Sequence, residues 1–182
     1  MIRLMKHSFF AEAEIEKKLA DFVLNEPMLS MGKYTVEFQE KFANWHSRKH
    51  CVMVNSGSSA NLLLMAALIN LGRLQVGDRV GVSGVTWSTN IMPLIQLGLV
   101  PVLIDVEEDG VNISDESLSN EISVLNALFI TNVLGLSNSL SKIRLLCKNH
   151  DVQLYEDNCE GLGCSQDQEL MGNFGVASTT SS

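Results

Sequence analysis

The chain is short of positive charge. Its 182 residues carry 13 Lys and Arg against 21 Asp and Glu, for a formal net charge of −8. The basic residues are scattered, and no stripe exists that could track a phosphodiester backbone, which argues against a nucleic-acid partner. A local anion site stays open, because backbone amides and helix dipoles can build one without lysine or arginine. Cysteine supplies no framework either. Cys51, Cys147, Cys159 and Cys164 show no C-x-x-C spacing and no pairing with a His motif, so reduced, buried thiols are expected rather than disulfides or zinc. His7, His46, His50 and His150 lack ligand spacing and read as structural or surface residues. No apolar run approaches membrane-spanning length, and the stretch from Met1 to His7 has neither the apolar core nor the cleavage pattern of a secretory signal. The expectation is a soluble, cytoplasmic protein with no membrane partner. Neither G-x-G-x-x-G nor G-x-x-x-x-G-K-[ST] occurs, which weakens a nicotinamide-dependent oxidoreductase and a Walker-type reading.

What is present is apolar and alternating. Hydrophobic residues make up 46% of the chain, enough for a substantial core in one domain or part of a larger one. Short β-branched runs at 51–55, 79–83, 101–106, 127–132 and 152–157 predict strands. Helical patterns cover 11–24, 36–45, 58–71, 88–97, 115–122 and 140–150. Strands separated by helices of this length predict βαβ units: an α/β, three-layer, mostly parallel sheet with helices on both faces. The strands lack polar alternation, as expected where both faces are buried. Residues 1–48 read as an N-terminal helical segment and 49–182 as the βαβ core.

Three constellations carry chemistry. The run Asn55-Ser56-Gly57-Ser58-Ser59-Ala60-Asn61 leads from a strand through a small-residue turn into an apolar helix. Gly57 permits a tight turn, Ser58 or Ser59 can cap the helix, and the first-turn amides suit a phosphate. A simple helix cap explains the same residues. In Gly84-Val85-Thr86-Trp87-Ser88-Thr89-Asn90, Trp87 lies at a strand-to-helix turn, where an indole could stack on a cofactor ring or pack in a core or interface. Asp105, Asn132 and Asp157 end predicted parallel strands and should line one rim of the sheet, where ligands bind in such folds. The acidic run Asp105 to Asp109 reads more simply as a solvated turn. Asp157, beside Asn158, Cys159 and Glu160, is the better partner for a cationic ring nitrogen. A carboxylate there keeps a pyridine nitrogen protonated, which is what pyridoxal 5′-phosphate (PLP) chemistry requires. Glu160 could contact the ring oxygen, handle a proton or begin a surface turn.

Taken together, the segments Met31-Gly32-Lys33-Tyr34, Val54 to Leu62, Thr86-Trp87-Ser88-Thr89, Asp105-Val106, Glu156-Asp157-Asn158-Cys159-Glu160 and Gly172-Asn173-Phe174-Gly175 resemble the DegT/DnrJ/EryC1/StrS family of PLP-dependent nucleotide-sugar enzymes. They occur in family order across nearly the whole chain. The resemblance implies the large domain of a type I aminotransferase-like fold. It implies that Gly57, Ser58, Ser59 and Ser181 hold the cofactor phosphate and that Trp87 stacks on the ring. Asp157 would pair with the ring nitrogen, and Glu160 would act near the ring hydroxyl as a catalytic group. It further implies a nucleotide-linked 4-keto-6-deoxy sugar as substrate, an amino donor such as glutamate, and a homodimer at full length.

One family position is not in the chain. The segment from Gly172 to Ser182 reads as the start of another strand, and in family aminotransferases that strand leads to the lysine that anchors PLP, here falling shortly beyond Ser182. The expectation is therefore a truncated large domain, without its small C-terminal domain and poorly stable alone. In a dehydratase sub-branch, histidine replaces that lysine and the cofactor serves as pyridoxamine 5′-phosphate (PMP) while the C3 hydroxyl leaves. The Asp157-Asn158-Cys159-Glu160 run, Asn132 where many members carry His, and the Ser181-Ser182 pair resemble that sub-branch. The reading leans to C3 dehydration, with amino transfer as the alternative. A short, non-catalytic remnant that binds a phosphorylated ligand is the alternative from another class.

Overall fold

The computed structural model describes residues 11–108, 110–136 and 139–181. His7 with the rest of the stretch read for a signal, Asp109 of the acidic turn, and Ser182 lie outside the described residues. Two compact units are present. One comprises the described residues up to Trp45 together with Lys49–Met53, and the other comprises His46–Arg48 and the chain from Val54 onward.

The first unit is built on α1 (Glu12–Asn25) and α2 (Lys33–Trp45). Aromatics join them: the Phe22 and Tyr34 rings meet edge to face at 5.3 Å, a geometry their quadrupoles favour. Lys33 Nζ lies 2.9 Å from Glu26 across the connection. The strand predicted at 51–55 does not form. Its residues enter no ladder among the described strands, and the Met53 amide donates to Gln39 Oε1 of α2 at 2.8 Å. Val52 is 71% exposed, so the apolar run lacks the two covered faces that a central strand needs.

The second unit holds a five-stranded sheet in the order β2-β1-β3-β4-β7, every pair parallel. The strands are β1 (Arg79–Ser83), β2 (Val100–Ile104), β3 (Ala127–Thr131), β4 (Gln153–Asp157) and β7 (Ala177–Thr179). Four of the five predicted strands are therefore present, and the apolar start after Phe174 becomes β7. Helix α3 (Gly57–Asn70) precedes β1, and α4 (Ser88–Gln96), α5 (Asp115–Glu121) and α6 (Leu140–Asn149) connect successive strands.

Period-two alternation sorts the side chains into two cores. Ala127 and Phe129 of β3 and Tyr155 of β4 pack with Met65, Leu68 and Leu94 from α3 and α4. Leu128, Ile130 and Leu154 point the other way, onto Leu118, Leu140, Ile143 and Cys147 from α5 and α6. The predicted three-layer α/β arrangement is thus observed. Each fully buried large side chain contributes about 1.5–3 kcal/mol of hydrophobic stabilisation.

A small hairpin, β5 (Ser165–Gln166) with β6 (Glu169–Leu170), was not expected. Its turn residues Asp167 and Gln168 both have positive φ, the geometry of a tight I′ turn made here without the usual Asn-Gly signal. The hairpin anchors the start of α6: Gln166 Oε1 accepts the Leu140 amide at 2.7 Å, and Arg144 pairs with Glu169 at 3.0 Å. Among the described residues, no helix is long and apolar enough to cross a membrane.

Candidate active site

Asp157 is the last residue of β4, and its side chain falls on the α3/α4 face. It is buried, and three N–H donors converge on it. Asn61 of α3 and Asn90 of α4 donate their amides to Oδ2 at 2.8 and 2.7 Å, and the Cys159 backbone amide reaches Oδ1 at 3.0 Å. A set of donors alone suits an ionised carboxylate. Asn61 is itself fixed on two further sides. Its Oδ1 accepts Thr179 Oγ1 at 2.6 Å, and its amide also reaches the Thr89 carbonyl at 3.2 Å. That carbonyl is available because Pro93, four residues on, has no N–H to bond it.

Beside Asp157, α3 begins. Ser56, rather than Ser58 or Ser59, is the cap: its Oγ accepts the Ser59 amide at 3.1 Å and its carbonyl takes the Ala60 amide. The amides of Gly57 and Ser58 precede any carbonyl that the helix can offer them. Gly57 leaves little room for a side chain. A Cβ there would lie 3.0 Å from Cys159 Sγ and 3.1 Å from Ser181 Oγ. The chain leaving β7 thus brings Ser181 to the helix start, and the two form one small cradle.

Trp87 sits immediately before α4 and is 58% exposed, so it is not a core residue. Its Nε1 donates to Glu160 Oε1 at 3.2 Å. The other Glu160 oxygen accepts the Leu134 amide at 2.7 Å. Leu134 is held at φ 55°, a strained backbone for a residue with a branched side chain. Below this bridge, Thr86 and Thr131 share a hydroxyl contact at 2.7 Å.

The strand-end set separates. Asp157 faces the rim. Asn132 is buried and turns inward, donating to Asn158 Oδ1 at 3.0 Å and Glu156 Oε2 at 3.2 Å. Asp105 belongs to edge strand β2's exit and serves a turn, accepting the Val106 amide at its side chain and the Ser114 amide at its carbonyl. The sequence did not single out Asn61 or Asn90. Their position one helical turn inside helices that start at the rim is the signal that could have found them. His46 is structural: its Nδ1 lies 3.0 Å from Asn173 Oδ1. All four cysteines are free, and no group of metal-ligating side chains occurs among the described residues. Burial, then the neighbouring Asp157, pushes the Cys159 thiol up to about 12.

A parallel sheet covered on both sides, with its polar rim at the strand ends, is an arrangement this chain shares with solved PLP aminotransferase-fold enzymes, as expected. The chain belongs to the DegT/DnrJ/EryC1/StrS aminotransferase family, which it matches over residues 11–182. It is 37% identical over 172 residues to GDP-4-keto-6-deoxy-D-mannose 3-dehydratase of Escherichia coli O55:H7, covering 93% of this chain and 44% of that protein. A histidine-to-asparagine variant of GDP-4-keto-6-deoxymannose-3-dehydratase, solved with bound GDP-perosamine, superposes with a TM-score of 0.91 at 36% identity, covering 98% of this chain and 46% of that one. The same enzyme with a trapped PLP–glutamate geminal diamine superposes at 0.88 and 35% identity, over 96% and 45%. The chain thus spans less than half the length of the relatives it matches.

Proposed function

We propose that the protein is a PLP- or PMP-dependent enzyme of nucleotide-deoxysugar biosynthesis that removes the C3 hydroxyl of a nucleotide-linked 4-keto-6-deoxyhexose. The observation that carries this is the convergence on one rim of a donor-bound carboxylate, a glycine–serine cradle at a helix start, and an exposed indole. Kinship to the 3-dehydratases named above supports dehydration. The family's aminotransferase character supports amino transfer as the second reading.

The residues present fit the cofactor. The cradle of Gly57, Ser58 and Ser181 offers two amides and a hydroxyl to a phosphate, with the helix dipole adding to the attraction. A Cβ at Gly57 would crowd the Cys159 and Ser181 side chains, and its absence lets the backbone approach closely. Asp157 offers a fixed anion to a pyridinium nitrogen. Buried Asn90 Oδ1 has no partner, so the pocket wall beside Asp157 keeps an unused acceptor. When bound, the pyridinium ring supplies an electron sink for a carbanion at the substrate carbon.

The chain's own residues divide the work. Asn61 and Asn90 orient Asp157, and Asp157 keeps the ring nitrogen protonated. Trp87 would lie against a bound ring and keep water from it. Both Glu160 oxygens are engaged, so its first role is to hold the Trp87 indole edge against the turn at Leu134. Ser59, whose amide is taken by Ser56, shapes the cradle from behind.

The test uses the protein made from the complete reading frame. Incubation with PLP, glutamate and GDP-4-keto-6-deoxymannose should give a cofactor absorbance band and a 3-deoxy sugar detectable by NMR. A 4-amino sugar instead would establish amino transfer. Absence of any bound-cofactor band would overturn both readings.

A further inference from the structure

Glu156, next to Asp157 on β4, points to the opposite face of the sheet and takes no part in the site described above. It is fully buried. Its carboxylate accepts the backbone amides of Gly175 at 2.6 Å and Gly172 at 2.8 Å, with the Asn132 amide at 3.2 Å. Arg48 grips the same loop by its carbonyls: Nη2 donates to Gly172 O and to Gly175 O, the latter at 2.8 Å, and Nη1 reaches Val176 O at 3.4 Å. His46 and Asn173 add a reciprocal pair, with Asn173 Nδ2 donating to the His46 carbonyl at 2.7 Å. The loop at 172–176 is therefore held on its donor edge by an anion and on its acceptor edge by a cation.

That loop feeds β7, a strand of three residues paired only to β4. So short a ladder specifies its register weakly, and a slip of one residue would turn every side chain to the other face. The observed register sets Thr179 opposite Asp157. It also places Thr179 Oγ1 on Asn61 and Ser181 Oγ in the Gly57 cradle.

We infer that Glu156 is a positioning residue: by pinning the Gly172 and Gly175 amides it fixes the register of β7, and through it places Ser181 for the cofactor phosphate. The last step rests on the phosphate role proposed for Ser181; the register claim does not.

The test is a double-mutant cycle in the full-length protein, with E156Q, S181A and the pair. It reads the PLP dissociation constant, and amide hydrogen exchange in the cofactor-free protein. Gln keeps one acceptor where two amides need one each, so E156Q should weaken PLP binding about tenfold. S181A should add little in the E156Q background. Exchange should accelerate at Gly172, Gly175 and β7 while β3 stays protected. Where S181A weakens PLP binding, effects that multiply independently, or E156Q binding PLP like the wild type, would overturn the inference. If S181A alone leaves PLP binding unchanged, the cofactor reading of Ser181 fails, and exchange alone decides the register: unaltered protection at Gly172 and Gly175 would refute it. If E156Q does not fold, E156D enters the same cycle, because it keeps the charge but withdraws the oxygens, and the same outcomes apply.

Discussion

At the scale of single residues, two buried amides do as much to define the rim as the acid they hold. Asn61 is 1% exposed and bonds Asp157, Thr89 O and Thr179 at once. Truncating it strands several buried polar groups, each costing about 1–3 kcal/mol when left unpaired. N61A should lower the unfolding free energy by about 2 kcal/mol or more. Urea denaturation monitored by circular dichroism checks this, and a loss within error would show that water replaces the amide. Asp157 answers to a different readout. D157N retains a similar shape and one acceptor, sets its new amide against one of the donors that bond the acid, and removes the charge offered to the ring nitrogen. In the full-length protein, the rate at which glutamate converts bound PLP to PMP, followed by absorbance, should fall about a hundredfold or more, the range expected when a preorganised electrostatic group is removed. An unchanged rate would remove Asp157 from the role proposed for it.

Elements show where the sequence was legible. The strand at 79–83 and the ends of the others could be read because buried parallel strands are short apolar runs bounded by turn residues. The helices could be read because their apolar positions repeat at helical spacing. The run at 51–55 has the same composition and still forms no ladder, because a strand exists only where a partner offers it hydrogen bonds, and pattern says nothing about partners. The β5–β6 hairpin escaped notice for the opposite reason: two-residue strands leave no period to detect. In the site, Trp87 and Asp157 were visible because they punctuate the ends of strands, and Gly57 because small residues lead there into an apolar helix. Asn61, Asn90 and Glu156 were hidden because their meaning lies in contacts 67–96 residues away for the asparagines and 16–19 for Glu156. The loop before β7 makes an element-scale prediction. A Cβ on Gly175 would lie 2.6 Å from the Leu154 carbonyl oxygen, a backbone atom that cannot swing aside. G175A should therefore destabilise by about 2–3 kcal/mol, the upper range for overpacking. Gly72 has φ +67° with open space around it, so G72A should cost only about 1 kcal/mol of backbone strain. Equal losses in paired urea titrations would show that close packing on β4 is not what the glycine serves.

For the whole molecule, the sheet converts sequence distance into chemistry. Asn61 and Thr179, 118 residues apart, share a hydrogen bond because β4 and β7 lie side by side under α3. The same burial that builds the two cores also sets how the fold responds to alkali. Burial pushes the thiol of Cys147, in the α5/α6 core, up to about 12, and burial with Asp157 does the same to Cys159 at the rim. In an unfolded chain such thiols ionise near 9.0. Between those limits the folded state binds more protons than the unfolded one, so the free energy of unfolding must fall as pH rises. Below the lower limit both states hold the proton and the thiols contribute no pH dependence. The urea midpoint should thus be insensitive to these groups at about pH 8 and decline steadily above about pH 9. In a C147A/C159A variant that decline should be shallower, although the variant starts lower at about pH 8 from the lost packing of two buried groups. If wild type and variant lose stability in parallel from about pH 9 upward, the alkaline sensitivity belongs to other groups, and the thiols are not held protonated by the fold.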